Sequence, residues 1–170
     1  MDEPFLYNVI ETRIGPLTIV VDGEGSVTEL WLSDASLRLG PEPRYRCDES
    51  ATSDAGVQLV EYANGERRQF DLPLAPRGSA FQQKVWEQLL LIPYGETRSY
   101  GQLAAMLGNP NGSRAVGRAN ATNPIGIVIP CHRVIGASGD LTGYGGGLPM
   151  KQRLLELEGS AKPSLFGFGA

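Results

Sequence analysis

The stretch from Ser99 to Asn123, SYGQLAAMLGNPNGSRAVGRANATN, decides how the second half of this chain is built. Ser99 and Gln102 stand at the spacing of a capping box, in which the two side chains satisfy each other's orphan backbone groups at a helix start. Behind them Leu103, Met106 and Leu107 recur at helical spacing, and GNPNG stops the helix. SRAVGRANATN then reads as a second helix carrying two arginines. Two helices joined by a short glycine-containing turn, the second one basic, have the pattern of a helix-turn-helix. Ala115, Gly117, Ala119 and Ala121 leave little bulk beyond Arg114 and Arg118, so such a helix can approach a nucleic-acid groove closely. The same small-residue texture also suits a helix packed tightly on a neighbour, and both readings stay open at this point.

Moving toward the N-terminus, Ser79 and Gln82 form a second capping box. It opens a helix with Phe81, Val85, Trp86, Leu89 and Leu90 on its apolar face, ended by Ile92-Pro93. Before it, LPLAPRGS (72–79) has the prolines and glycine of a linker. The first half is β-rich, with strand-like runs around Tyr7–Thr12, Leu17–Val21 and Val27–Leu32 that tight turns join into a small antiparallel meander. SDAGVQLVEYANG adds a helix with Val57, Leu59, Val60 and Tyr62 on one face and Gly65 as its stop. Toward the other end, a last helix spans Met150 to Glu158 with Leu154, Leu155 and Leu157 inward. These elements predict an α+β chain with a β-rich domain over 1–76 and a helical domain over 77–170.

Composition narrows the function classes. The 170 residues are 41% hydrophobic and 20% charged, as in an ordinary folded protein. No apolar run reaches the roughly 18 residues of a membrane span, and the acidic start MDEPFLYNVIETR is unlike a signal peptide, so the expected compartment is the cytoplasm and no membrane is involved. Two cysteines, 84 positions apart (131 − 47), and a single histidine offer neither a disulfide framework nor a structural zinc site; no metal is expected, and Cys47 is given no function. The net charge of −4 conceals a contrast. Residues 97–139 hold Arg98, Arg114, Arg118 and Arg133 and no Asp, Glu or Lys, so that window is +4 and the remainder −8. A local basic surface on an acidic chain fits a polyanion held at one place, though arginines that cap helices or lay their stems along apolar surface would give the same count.

Within that window, NPIGIVIPCHRVIG (123–136) sets Cys131 and the sole histidine, His132, after an apolar run that reads as a buried strand. Cys131 is either a small buried hydrophobe or a nucleophile. A free thiol ionises near ~8.5, so a nucleophile here needs activation by a cation or by a base. Adjacent side chains of an extended segment point to opposite faces, so His132 is expected to reach the thiol around a bend and through a water, oriented on its other nitrogen by a carboxylate. Glu158 and Glu156, near the end of the chain, are the candidates for that role. A thiol protease fits poorly, because such enzymes draw their histidine from far along the chain.

IPCHRVIG, with ANATNP before it and GASGDLTGYGGG after it, resembles the active-site segment of the O6-alkylguanine-DNA alkyltransferases. The likeness extends through PYGETRSYGQLA, GNPNGSRAVGRA and KQRLLELEG and so covers at least residues 80–159; the N-terminal part resembles the family's variable domain only loosely. The resemblance implies a ribonuclease-H-like αβ domain followed by a helical DNA-binding domain with a winged-helix-like helix-turn-helix. It implies stoichiometric, single-turnover repair without a cofactor: Cys131 takes the alkyl group from O6-alkylguanine, and from O4-alkylthymine, in double-stranded DNA after the base is flipped out. His132 is then the water-mediated base, Glu158 its orienting group, Asn123 a brace and Tyr100 the donor to the departing base. Ser99, Tyr100, Arg114, Ala115, Gly117 and Arg118 would meet DNA, with Arg114 filling the vacated place. Val134, Tyr144, Gly145, Gly146 and Gly126 would form the substrate pocket. Gly145 stands where several relatives carry a serine, and Asn120 and Gly126 differ from bulkier residues in some relatives. A monomer in solution is expected, with protein–protein contacts when molecules cluster on DNA. A sensor that binds the lesion without repairing it would not need Cys131, and a plain DNA-binding regulator would need neither the Pro-Cys-His-Arg segment nor Tyr100.

Overall fold

The computed structural model describes residues 3–39 and 44–160. Among them, one compact unit runs to Arg77 and includes Pro124–Gly126; the other comprises Gly78–Asn123 and the chain from Ile127 onward.

The first unit is built on a sheet of order β3-β2-β1-β4, formed by β1 (Phe5–Thr12), β2 (Gly15–Val21), β3 (Val27–Trp31) and β4 (Tyr45–Cys47). The expected meander is present: β1 pairs antiparallel with β2, from Leu6 opposite Val21 to Thr12 opposite Gly15, and β2 pairs antiparallel with β3. Gly15 takes φ +108 at the β1–β2 turn, a conformation that side chains resist. Leu17 to Val21 are all buried, so β2 is covered on both faces rather than alternating in and out. Val20 packs with Ala35, just before the short helix α1 (Ser36–Leu39), and with Leu39 at its end. Thr18 is tolerated inside because its hydroxyl donates to Ser33 O at 2.7 Å and accepts from Ala35 N at 2.9 Å.

Helix α2 (Ser53–Ala63) lies against β1, close enough that a Cβ on Gly56 would stand 2.7 Å from Ile10. Its buried face runs through Ala55, Gly56, Gln58, Leu59, Tyr62 and Ala63, whereas Val57, expected inward, is 56% exposed. Small residues and a glutamine carry that face, which apolar periodicity does not register. The parallel strand β4 also differs from expectation. Tyr45 is half-buried and Arg46 and Cys47 are exposed, and tertiary pairing with β1 alone makes them a strand. Part of the expected linker belongs to this unit as well. Val27 N–H donates to Pro73 O and Ala75 N–H to Val27 O, while Leu30 N–H donates to Pro124 O, so two extended segments pair along β3.

The second unit contains α3 (Ala80–Leu90), β5 (Arg98–Ser99), α4 (Tyr100–Met106), α5 (Ser113–Ala121), β6 (Val134–Ile135) and α6 (Leu148–Leu157). Both capping boxes form, Ser79 with Gln82 and Ser99 with Gln102. Val85, Trp86 and Leu89 bury the inner face of α3, and Trp86 Nε1 donates to Ala119 O of α5 at 2.9 Å. Phe81 and Leu90, placed on that face by the sequence pattern, are 38% and 46% exposed, because the apolar stripe is one residue narrower than its hydrophobicity suggests. Met106 is likewise exposed and Leu107 and Leu157 are half-buried. The α4 and α5 helices pack closely, with the Tyr100 ring 3.7 Å from where a Gly117 Cβ would stand. The parallel pair β5–β6 aligns Arg98 with Val134.

The largest departure is IGIVIP. It is buried, as expected, but it forms no strand: Ile125 makes an isolated bridge and residues 126–128 are turns. Ile127 adopts φ +69, an outlier for a β-branched side chain, and Pro130 has no N–H to offer a ladder. Continuous burial with no alternation is compatible with any backbone that hides its carbonyls, which is why the run misleads. Among the described residues, no helix is long and apolar enough to cross a membrane.

Candidate active site around Cys131

Pro130 (φ −82, ψ 63) sits at the centre of an inverse γ-turn, and Cys131 N–H donates to Ile129 O at 2.8 Å. A single 3-10 turn, Cys131–Arg133, follows and swings the next two side chains away from an extended path. This is the bend that the Cys-His pair requires. Asn123 Nδ2 donates to Ile129 O at 2.8 Å, and Asn120 Nδ2 donates to Cys131 O at 3.3 Å. Cys131 is 7% exposed.

Burial pushes the Cys131 thiol up from its ordinary pKa; a hydrogen bond from Asn123 and the charge of Lys151 pull the other way. The resting group is therefore a neutral thiol that must lose its proton during reaction. His132 is the neighbouring acceptor. Its ring is closed off from solvent, and burial lowers its pKa despite the carboxylate beside it, so it is neutral near pH 7. Nε2 lies 2.8 Å from Glu158 Oε1. Arg133 holds the same carboxylate in a fork, Nε to Oε2 at 2.8 Å and an Nη to Oε1 at 2.9 Å, and donates its other Nη to Ile92 O at 2.6 Å. A carboxylate gripped in this way stays an acceptor, which assigns the imidazole hydrogen to Nε2 and leaves the lone pair on Nδ1. Nδ1 has no protein partner. It is a base whose orientation is fixed by the ring's other nitrogen.

Arg133 thereby leaves the expected basic surface. It is 7% exposed, since the buried carboxylate needs a cation, and Arg98 pairs with Glu96 at 3.4 Å, just before the window. Arg114 and Arg118 of the window stay exposed, on the outer face of α5, with Ala115 and Gly117 half-buried between them.

Lys151 was not among the residues the sequence singled out. It is fully buried, and Nζ donates to Val134 O at 2.6 Å and to Thr142 O at 2.9 Å; burial lowers its pKa from 10.5 to about 8. A signal existed, because Lys151 precedes Leu154 and Leu155 by three and four positions and so shares their inward face. Thr142 also reaches Tyr100, its hydroxyl donating to the phenol oxygen at 3.1 Å. The phenol oxygen of Tyr144 is buried without a protein partner, and burial raises its pKa well above the usual 10.0. The nearby Cys131 and Glu158 push it in the same direction. Ser99 caps α4, and Gly145 and Gly146 are exposed, with nothing within 4 Å of a Cβ on Gly145. Gly126 has a different set of neighbours. It lies in the first unit, where a Cβ would meet Leu30 O and the Leu32 side chain at 3.7 Å. No cluster of three or more His, Cys, Asp and Glu that could hold a metal occurs among the described residues.

A family model described as the 6-O-methylguanine DNA methyltransferase DNA binding domain matches residues 80–160, and the ribonuclease-like domain of the same family matches residues 5–76. The chain belongs to the 6-O-methylguanine DNA methyltransferase family. The methylated-DNA–protein-cysteine methyltransferase of Mycobacterium tuberculosis is 52% identical over 159 residues, 93% of this chain and 94% of that protein. The namesake from Methanosarcina acetivorans is 47% identical over 154 residues, 91% of this chain and 98% of the relative. Among solved structures, that of the Mycobacterium tuberculosis OGT in complex with DNA superposes with a TM-score of 0.82 at 50% identity, covering 91% of this chain and 93% of that one. In this methyltransferase family member the mixed α+β architecture is that of the OGT structures, and the residues around Cys131 form one connected network rather than a set of separate motifs.

Proposed function

We propose that this chain repairs alkylated DNA directly, moving the alkyl group of O6-alkylguanine, and of O4-alkylthymine, in double-stranded DNA onto Cys131. The observation that carries the reading is the buried thiol beside a neutral histidine whose Nε2 is fixed by Glu158 and whose Nδ1 is free. The Sγ proton passes through a water to Nδ1, and sulfur attacks the alkyl carbon in line with the C–O bond. That bond breaks with its electron pair on O6, and the base takes up a proton, with Tyr100 donating to it. The net exchange converts thiol and O-alkylguanine into thioether and guanine. A thioether has no route back, so each molecule acts once.

Cys131 is 7% exposed, and a base stacked in a duplex cannot reach it. The base must leave the stack, at a cost of a few kcal/mol, and Arg114 on the exposed face of α5 is the side chain suited to take its place. Ser99, Ala115, Gly117 and Arg118 complete the DNA face of a helix-turn-helix. Val134 O, with its second lone pair, reads guanine; Tyr144, Gly145 and Gly146 shape the alkyl pocket. We assign the catalytic work to a domain over 77–170 and a supporting role to 1–76. The protein works in the cytoplasm as a monomer that can cluster on DNA.

The test is to incubate the protein with duplex DNA carrying O6-methylguanine, digest it, and weigh the Cys131 peptide. One added methyl group and a stoichiometry that stops at one are expected. Multiple turnovers, or tight binding with Cys131 unmodified, would overturn suicide transfer, the latter in favour of a lesion sensor.

A further inference from the structure

Two carboxamides from one stretch of chain grip the turn that presents the thiol. Asn123 holds the carbonyl on the near side of Pro130, that of Ile129, at 2.8 Å. Asn120 holds the carbonyl on the far side, that of Cys131 itself, at 3.3 Å, and the same oxygen accepts the Val134 N–H. Asn120 is 3% exposed, and its Oδ1 has no protein partner. The amide cannot be reversed without setting that oxygen against the Cys131 carbonyl. An apolar side chain of similar size would fill the same space but could not donate to the Cys131 carbonyl.

Asn120 also ties two things together. It lies on the buried face of α5 with Val116 and Ala119, while Arg114 and Arg118 lie on the exposed face of the same helix. A helix of nine residues moves as one body, so whatever seats the arginines also sets the donor that holds the Cys131 backbone.

We propose that Asn120 is a positioning residue for the transfer step: its amide fixes the Cys131 carbonyl and so aims Sγ, linking the seat of α5 to the direction of the nucleophile. The proposal rests on the alkyl-transfer reading above. Asn120→Ala is expected to slow transfer from duplex O6-methylguanine and from the free base O6-benzylguanine alike. The expected factor is about tenfold, which corresponds to the ~1.4 kcal/mol of one hydrogen bond, with DNA affinity unchanged. Asn120→Asp supplies the more telling readout. Its ionised carboxylate repels the carbonyl, but its protonated form donates to it, so the ratio of variant to wild-type rate should climb as pH falls from about 8 to about 5.5.

Both variants are compared on protein shown folded at each pH, and carbamidomethylation of Cys131 by iodoacetamide, resolved by peptide mass, is followed in parallel. Rates within about twofold of wild type for Asn120→Ala on both substrates would overturn the proposal, as would an Asp-to-wild-type ratio flat in pH or a loss confined to duplex DNA. If Asn120→Asp does not fold, Asn120→Ala and Asn120→Ser decide. Failure of wild type to accept a methyl group would sink the transfer reading instead, and the iodoacetamide rates would still report on Asn120.

Discussion

Glu158 and His132 meet at 2.8 Å with both side chains sealed from solvent, and the bond runs to Nε2 rather than Nδ1. The choice of nitrogen matters more than the distance, because it leaves the other nitrogen free to take a proton. Arg133 on the same carboxylate keeps it charged, so one acidic group at the end of α6 sets both the tautomer of the base and the burial of a cation.

Removing Glu158 should therefore do two separable kinds of damage. Glu158→Leu strands a buried guanidinium and is expected to lower stability by about 3–5 kcal/mol, whereas the double variant Glu158→Leu, Arg133→Leu should recover most of that. Neither should recover transfer, since His132 has lost its orienting partner in both. Denaturant melts beside single-turnover rates check this, and a double variant with wild-type rate would refute the role of Glu158.

The acid limb of the pH–rate profile follows from His132. Burial holds its pKa below 6.5, so the ring stays neutral and able to accept the thiol proton after an exposed histidine would have charged. Transfer should therefore decline only below pH 6.5. The unfolded chain binds that proton first, so stability should also fall as the pH drops through the same window. A rate midpoint above 6.5 would contradict the assignment.

Lys151→Met removes the cation that opposes the upward push on the thiol. Cys131 should become less reactive toward iodoacetamide near neutral pH, and its titration should move to higher pH. Stability gives an independent readout. In the wild type the folded lysine releases its proton near 8 while the unfolded one holds it to 10.5, so this group makes stability rise with pH between those values. Melts of the variant at both ends of that window should lack the rise.

Arg114→Ala should slow repair of duplex DNA by about ten- to a hundredfold and leave the reaction with free O6-benzylguanine within about twofold, because the free base pays no unstacking cost. Equal losses would deny the arginine a part in flipping. With Arg98 and Arg133 occupied by Glu96 and Glu158, the basic window offers Arg114 and Arg118 to phosphates, and two contacts at −0.9 each give a slope of log K against log salt of about −1.8 from this face. A slope near −3.6 would mean that groups outside this pair share the DNA.

Local signals were legible where the physics is local. Both capping boxes, the three strands of the meander, the α5 helix and the last helix can be read from spacing and turn chemistry, because each depends on residues within a few positions of one another. The Pro-Cys-His order was legible in the sequence, the need for a bend between adjacent side chains followed from strand geometry, and the choice of Glu158 over Glu156 came from the family resemblance.

Tertiary structure decided the rest. IGIVIP is apolar throughout, and only the competition of its surroundings makes it a buried irregular turn with Ile127 at positive φ instead of a strand. Arg133 looks like a DNA-facing charge until Glu158, 25 residues away, is folded against it. Lys151 sits on an inward face where a lysine is expensive, and nothing near it in sequence reveals the two carbonyls that accept its ammonium. A sequence states which groups a chain carries and which face of a helix they share. Whether a charge is solvated or buried, and which nitrogen of a histidine is free, depends on partners that only the folded chain brings within reach.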